Sequence, residues 1–383
     1  MMKILFMTSR DITHPKWAGG DVYHFEVAKR LVYCGHKVTM LCSGYPGSKN
    51  YEKLDGIEII RIRGGIFRIL SNFLFYYKSL RGRYDVVVEE AEGPAGPLFA
   101  FLYTKEPAVI MWHQLGKFIY FNQFPYPIAL ALLLLEKIYV AFARNNHIIV
   151  PSKERAIEFL EIGFSKHKVH VVPAAAAISP LQLDAEKGKL EVGKTPYFLI
   201  LGKIRKYKAY HHAIEALKIL IGYGQKCSLI IAGRKGEDKY YGELEKLIAD
   251  YKLRNFVSMK LNVSEEEKAR LLSNAIALIV TSPVEGFSIV SAESNALGVP
   301  VIATEGVPED VVRDGYNGLK YKFGDIKALA ESMETMISDA RLREQLSANA
   351  AESAKRFSWD TSAKIFKEVL ETVVKKNKKR SLN

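Results

Sequence analysis

Cysteine is scarce in this chain: three in 383 residues, Cys34, Cys42 and Cys227, an odd number with no CxxC spacing. That excludes a disulfide framework or a zinc knuckle and points to a reducing compartment. A long apolar run is also missing. Residues 127–135 are nine apolar positions before Glu136-Lys137, short of the ~20 that cross a bilayer. The opening Met1 to Met7 is interrupted by Thr8-Ser9-Arg10 too soon for a signal peptide, so it is expected to be a buried first strand of a cytoplasmic protein. There is no Walker loop, no G-x-G-x-x-G fingerprint, no zinc-finger spacing and no RNP-like aromatic strand, so nucleic acid is not an expected partner. No Asp-x-Asp triplet stands where it could hold a metal, and neither metal nor resident cofactor is expected. Acid is scarcer than base, 42 residues against 55, leaving a net charge of +13. A field of that sign attracts nucleotide phosphates or an anionic lipid surface.

Hydrophobic residues make up 48% of the chain and charged residues 25%, ordinary values for a globular protein whose length suits two domains. Short apolar runs at 3–8, 37–42, 57–62, 85–89, 109–112 and 147–150 read as strands, with a helix over 21–33, the alternation of a doubly wound α/β sheet. The loop before that helix carries Gly19-Gly20. After Val172-Pro173 and the run Ala174 to Ala177 the pattern breaks into a polar, proline-containing stretch, 180–194. The expected domains are therefore 1–174 and 175–360, with a helix and basic tail over 361–383. The second half repeats the alternation, with strands at 197–201, 228–232 and 256–261 and helices at 210–223, 241–251 and 264–273.

The most informative stretch runs from Ser282 to Glu293, Ser-Pro-Val-Glu-Gly-Phe-Ser-Ile-Val-Ser-Ala-Glu. An apolar strand over 275–280 leads into a turn punctuated by Pro283 and Gly286, and a helix over 287–297 stops at Gly298 and Pro300. Glu285 then lies in the loop and Glu293 about two turns along the helix. Free N–H groups at the helix start, around Phe287 and Ser288, suit a phosphate or a sugar hydroxyl. Carboxylates in this arrangement accept hydrogen bonds from hydroxyls. A second cluster follows the strand 197–201: Gly202, Lys203, Arg205, Lys206 and Lys208, with Lys194 nearby, crowd one strand-to-helix junction where charge and N–H groups together favour a diphosphate. In the first half His113 ends the apolar run 109–112, at the edge of the sheet where ligands collect. His14, His24, His211 and His212 are weaker candidates.

These motifs resemble the family-4 retaining glycosyltransferases of GT-B fold, whose signature is a Glu, seven residues and a second Glu. Glu285 and Glu293 meet that spacing, and Gly286-Phe287-Ser288 and Gly298-Val299-Pro300-Val301-Ile302-Ala303 match the flanks. The resemblance implies two Rossmann-like domains facing across a cleft, with a last helix returning to the first domain after Arg356-Phe357-Ser358-Trp359. It implies that Glu285 lies by the transferred sugar and Glu293 holds the nucleotide ribose. The resemblance further implies that Lys203, where the family has Arg, and Lys208 hold the donor diphosphate. Lys for Arg keeps the charge and loses the bidentate fork. By the same resemblance the base is expected along Leu261-Asn262-Val263, Gly19-Gly20 near the diphosphate, and His113 against the sugar. The family's Pro-Asn-Gly type turn after Val172-Pro173 is replaced here by alanines. The implied reaction is metal-independent transfer from a nucleotide sugar to an acceptor hydroxyl with retention. Sugar-nucleotide epimerases share this architecture, and a non-catalytic sugar-nucleotide-binding protein would too.

The expected acceptor is a lipid-linked or other cell-surface glycan precursor. Two stretches combine aromatic, apolar and basic residues suited to a membrane interface: Ile66-Phe67-Arg68 through Tyr76 to Arg81, and Lys117 to Tyr120 through Phe142 to Arg144. The basic tail from Lys375 to Arg380 adds attraction to anionic headgroups.

Overall fold

The computed structural model describes residues 1–62, 68–91, 99–177 and 195–380. The 66–67 part of the first interfacial stretch and the polar stretch 180–194, including Lys194, lie outside the described residues. The chain divides into two compact units, Met1–Ala174 with Trp359–Asn383, and Ala175–Ser358. The last helix, Trp359–Arg380, is thus part of the first unit.

In the first unit β1 (Lys3–Met7), β2 (Lys37–Ser43), β3 (Tyr51–Leu54), β4 (Ile57–Ile62), β5 (Val86–Ala91), β6 (Ala108–Trp112), β7 (His147–Val150) and β8 (Val169–Val171) form one sheet. Its order is β3-β4-β2-β1-β5-β6-β7-β8, parallel throughout except for the β3–β4 hairpin. The side chains of β1 after Lys3, and all of those in β5 and β6, are buried, as expected of strands covered on both faces. The order reverses between β1 and β5, which makes their carboxyl ends the place for a ligand. The register Met7↔Glu89 brings the chain after β1 beside Glu90. The helix Trp359–Arg380 packs on the helix Gly19–Tyr33 through Trp359 edge-on to Tyr23 (5.7 Å), and its Phe366 stacks on Phe6 of β1 at 5.9 Å. Ser362 adds a hydrogen bond to the Pro173 carbonyl.

The second unit holds β9 (Tyr197–Leu201), β10 (Ser228–Gly233), β11 (Val257–Leu261), β12 (Ala277–Val280), β13 (Val301–Thr304) and β14 (Gly318–Tyr321), all parallel, in the order β11-β10-β9-β12-β13-β14. Here the reversal falls between β9 and β12. Two glycines tighten the carboxyl end beside it: Gly202 and Gly233 have φ of +140° and +147°, and a Cβ on Gly233 would lie 1.9 Å from the Gly202 carbonyl oxygen. Only glycine permits that approach.

Three expectations need correction. Gly19 and Gly20 are the first residues of the first helix, not a loop before it: Asp21 lies three residues past the Ala18 cap and accepts the Ala18 N–H through its side chain at 2.7 Å, which starts the helix early. The helix carrying Glu293 begins at Ile289, because Ser288 is held in a left-handed conformation (φ +77°), so Glu293 is little more than one turn in. The apolar run at 127–135 does not end at Glu136-Lys137 but continues as one 18-residue helix, Tyr126–Ala143, long and apolar enough by length and composition to cross a membrane. Glu136 does not interrupt it because its carboxylate is buried inward, accepting the Gly116 N–H at 2.6 Å and the Tyr120 hydroxyl at 3.2 Å.

Candidate active site

In the second unit the chain leaving β9 passes through Gly202 and Lys203 into a short turn, Lys206–Lys208, before the helix His211–Gly222. Thr281, just past β12, clips this turn by donating its hydroxyl to the Lys208 carbonyl. The clip sets the Lys208 ammonium against Glu285, Nζ to Oε1 at 3.0 Å, with both side chains about one-sixth exposed. Burial works to lower the Lys208 pKa, but Glu285, with the Tyr207 and Tyr210 rings beside it, carries it above the ordinary lysine value. The lysine is therefore a fixed cation. The Glu285 N–H donates to the Gly306 carbonyl at 3.1 Å, fixing the loop on the β13 side. Lys203 is half-buried, and its carbonyl accepts the Tyr210 hydroxyl at 3.4 Å.

Glu293 is joined to a different lysine. Its Oε1 lies 3.0 Å from Lys268 Nζ, on the helix Glu265–Ser273, and Lys268 also contacts Glu265 at 2.6 Å. Burial raises the Glu293 pKa above the ordinary carboxylate value, and Lys268 opposes that shift. The side chain of Phe287 packs edge-on against Phe357 at 5.2 Å, so what it offers a ligand is backbone. Ser288 shares a hydrogen bond with Ser291 (2.7 Å). Val263 is half-buried beyond β11, next to Asn262, whose N–H donates to the Gly233 carbonyl at 2.7 Å. Lys268 and Glu265 are not legible as site residues in the sequence, because nothing along the chain links position 268 to position 293.

In the first unit His113 follows β6 and stands beside His24, ring centroids 5.2 Å apart, and Tyr23, 5.6 Å. Glu90, at the end of β5, accepts the Ser9 N–H at 2.7 Å and places its other oxygen 3.3 Å from His24 Nδ1. Burial, then His113, holds the His24 pKa well below the usual imidazole value, so His24 is neutral. Gly20 closes the group from the helix start: a Cβ there would be 2.9 Å from His113 Nε2 and 3.4 Å from Glu90 Oε1. His24 and Glu90 are thus partners of His113 that spacing along the chain could not reveal. Among the described residues His24, Glu90 and His113 are the one group whose ligand atoms, within 4.8 Å of each other, could hold a metal. The carboxylate accepts the Ser9 N–H, while both ring nitrogens of the neutral His24 are buried without a hydrogen-bond partner among the described residues. The other histidine candidates have packing partners: His14 lies edge-on to Tyr45, His211 meets the Tyr240 hydroxyl at 2.9 Å, and His212 packs on Phe323.

Comparison with known proteins bears on the family and the fold. The sequence model described as "Glycosyltransferase Family 4" matches residues 17–176, and that described as "Glycosyl transferases group 1" matches residues 183–353. The chain is 27% identical over 252 residues to a D-inositol 3-phosphate glycosyltransferase of Xylanimonas cellulosilytica, covering 62% of this chain and 60% of that relative's length. It is 22% identical to the N,N'-diacetylbacillosaminyl-diphospho-undecaprenol alpha-1,3-N-acetylgalactosaminyltransferase of Campylobacter jejuni, over 94% of this chain and 97% of the relative. Among solved structures, sucrose-phosphate synthase from Thermosynechococcus elongatus superposes with a TM-score of 0.78 at 20% identity, covering 97% of this chain and 99% of the other. Anabaena HepE in complex with UDP-glucose superposes at 0.74 with 19% identity, covering 97% and 99%.

Proposed function

The chain belongs to the family-4 glycosyltransferases of GT-B fold, and on that premise we propose that it is a retaining hexosyltransferase that moves a sugar from a nucleotide-sugar donor to an acceptor hydroxyl without a metal. The observation that carries the reading is the Lys208–Glu285 pair at the strand reversal of the second unit, a cation and a carboxylate 3.0 Å apart. As the bond between the anomeric carbon and the donor's phosphate oxygen breaks, Lys208, with Lys203 and the N–H groups entering the helix Ile289–Ala296, stabilises the departing diphosphate. Glu285 orients sugar hydroxyls and favours the positive charge that develops on the ring. The acceptor oxygen bonds to the anomeric carbon on the face the phosphate leaves, and its proton passes to the departing phosphate oxygen. No protein nucleophile is assigned. His113, oriented by His24 and Glu90, is the imidazole that meets a sugar hydroxyl, while Gly19, Gly20, Gly202, Val263, Gly286, Phe287 and Ser288 contribute backbone, and Glu293 receives the ribose.

A solved relative holds UDP-glucose and another relative's name gives an undecaprenyl diphosphate acceptor and an alpha linkage. They support a nucleotide-sugar donor, a lipid-linked glycan acceptor and, for a donor whose sugar is α-linked to its diphosphate, retention. Work at the cytoplasmic membrane face is supported by the helix Tyr126–Ala143, whose outward side is apolar: Leu130, Leu134, Ile138 and Phe142 recur every four residues, with Leu134 59% and Phe142 58% exposed. Between residues 117 and 144 the acid is the inward Glu136, and the exposed charges are Lys117, Lys137 and Arg144. Such a face suits an anionic bilayer, lying in its surface. Spanning it would tear Glu136 from Gly116 and Tyr120.

Labelled nucleotide sugars incubated with a polyprenyl-diphosphate glycan and a chelator test the reading. The expected result is sugar on the lipid, α-linked by NMR and undiminished by chelation. An altered sugar still attached to its nucleotide would mean an isomerase, and loss of turnover on chelation would refute metal independence. For the membrane, Leu134→Glu with Phe142→Glu is expected to abolish sedimentation with vesicles containing phosphatidylglycerol. Unchanged sedimentation would overturn that part.

A further inference from the structure

We propose that Lys268 is a positioning residue for nucleotide recognition: it pins one oxygen of the buried Glu293 carboxylate and so leaves the other charged and free to receive the ribose hydroxyls. The proposal rests on the assignment of Glu293 to the ribose, and goes beyond it in naming what makes that carboxylate usable.

Glu293 is 2% exposed. A carboxylate that deep loses its hydration and tends to take up a proton, and a protonated acid accepts hydroxyls poorly. Lys268 supplies what water would: its ammonium sits 3.0 Å from Oε1. The lysine is itself fixed, because Glu265, one turn back on the same helix, holds it at 2.6 Å, and Ser264 caps that helix through the Glu267 N–H. Glu293 Oε2 is buried and has no hydrogen-bond partner among the described residues. The groups acting on this carboxylate are Lys268, which favours its charge, Glu265, which opposes it, and the Ala177 N–H, the weakest contributor. Burial disfavours the Lys268 charge, while Glu293 and Glu265 restore it and carry its pKa above the ordinary value. The pair is therefore an ion pair with one acceptor site left over, the arrangement a diol needs.

The sign of the pH effect follows. Burial raises the Glu293 pKa and Lys268 restrains it, so removal of the lysine lets it climb further. Ribose affinity, which needs the ionised carboxylate, should then fall as the pH is lowered through the raised value and recover as the pH is increased.

The test is calorimetric titration of the full chain with UDP, GDP and ADP from pH 6 to pH 9, following whichever binds tightest, for the wild type, Lys268→Met, Lys268→Arg and Glu293→Gln. Lys268→Met is expected to weaken binding about tenfold at pH 7, the scale of one charged hydrogen bond, and to regain most of it by pH 9, while Lys268→Arg follows the wild type. Equal weakening of Lys268→Met at every pH would mean that the lysine merely braces the fold, and an unchanged affinity would mean that it does nothing; either overturns the proposal. Glu293→Gln separates the two layers. If it binds as the wild type does, the ribose assignment itself fails. If it binds weakly while Lys268→Met shows no pH-dependent loss, the lysine proposal alone fails.

Discussion

Glu285 and Glu293 in the second unit each have a lysine 3.0 Å away, whereas Glu90 in the first unit faces a neutral imidazole and a backbone N–H. The two arrangements answer different ligands. A lysine–carboxylate pair sets a cation beside an acceptor and can offer them to a diphosphate and its hydroxyls. Neutral imidazoles beside a carboxylate offer donor and acceptor atoms with little net field, as neutral sugar hydroxyls require. On the proposed reading, charge for the leaving group is concentrated in one unit, and the neutral imidazoles lie in the other.

That contrast can be broken most severely at the Lys208–Glu285 pair. Lys208→Ala and Glu285→Gln are each expected to lower turnover about a thousandfold, with circular dichroism unchanged; undiminished turnover would refute the assignment. His113→Ala should cost about a hundredfold in kcat while nucleoside diphosphate affinity, which the proposed reading assigns to the second unit, stays at the wild-type value. A parallel loss of affinity would erase the contrast. Gly20→Ala sharpens it with a smaller change: the new methyl must push His113 aside, so kcat is expected to fall about tenfold without a change in nucleotide binding.

A fourth prediction concerns stability. Glu89, fully buried on β5, has no lysine partner among the described residues, and burial raises its pKa to about 7, opposed by the Phe101 N–H and Tyr139. Because the folded value lies above the unfolded one near 4.5, its contribution is present in full below pH 4.5 and is lost as the pH rises to 7 and beyond. Glu89→Gln should remove that loss, about 3 kcal/mol in all, so urea denaturation at pH 8 is expected to show a more stable variant. A variant less stable at pH 8 would contradict the burial argument.

Much of this was legible along the chain. The strands of both sheets announce themselves as short apolar runs, and Glu285, Gly286, Gly202, Lys203 and Lys208 sit in two contiguous motifs because strand ends and the loops after them are local features. What escaped was non-local or carried by edges. β3, β8 and β14 are short edge strands with half-polar faces, as in Tyr51-Glu52-Lys53-Leu54. The partners of His113 come from positions 20, 24 and 90, which meet only when the parallel sheet assembles. Lys268 reaches Glu293 from another helix. The helix Tyr126–Ala143 was cut short on paper because Glu136 reads as a polar stop, when its carboxylate turns inward to Gly116 and Tyr120.

The central claim, that the second unit's lysine–carboxylate pair grips the diphosphate of an activated sugar, is tested most directly by titrating a nucleoside diphosphate into wild type, Lys208→Ala and His113→Ala under identical salt. The account predicts saturable binding to the wild type and to His113→Ala, with Lys208→Ala weakened by at least about tenfold. Binding to Lys208→Ala as tight as to the wild type would contradict it.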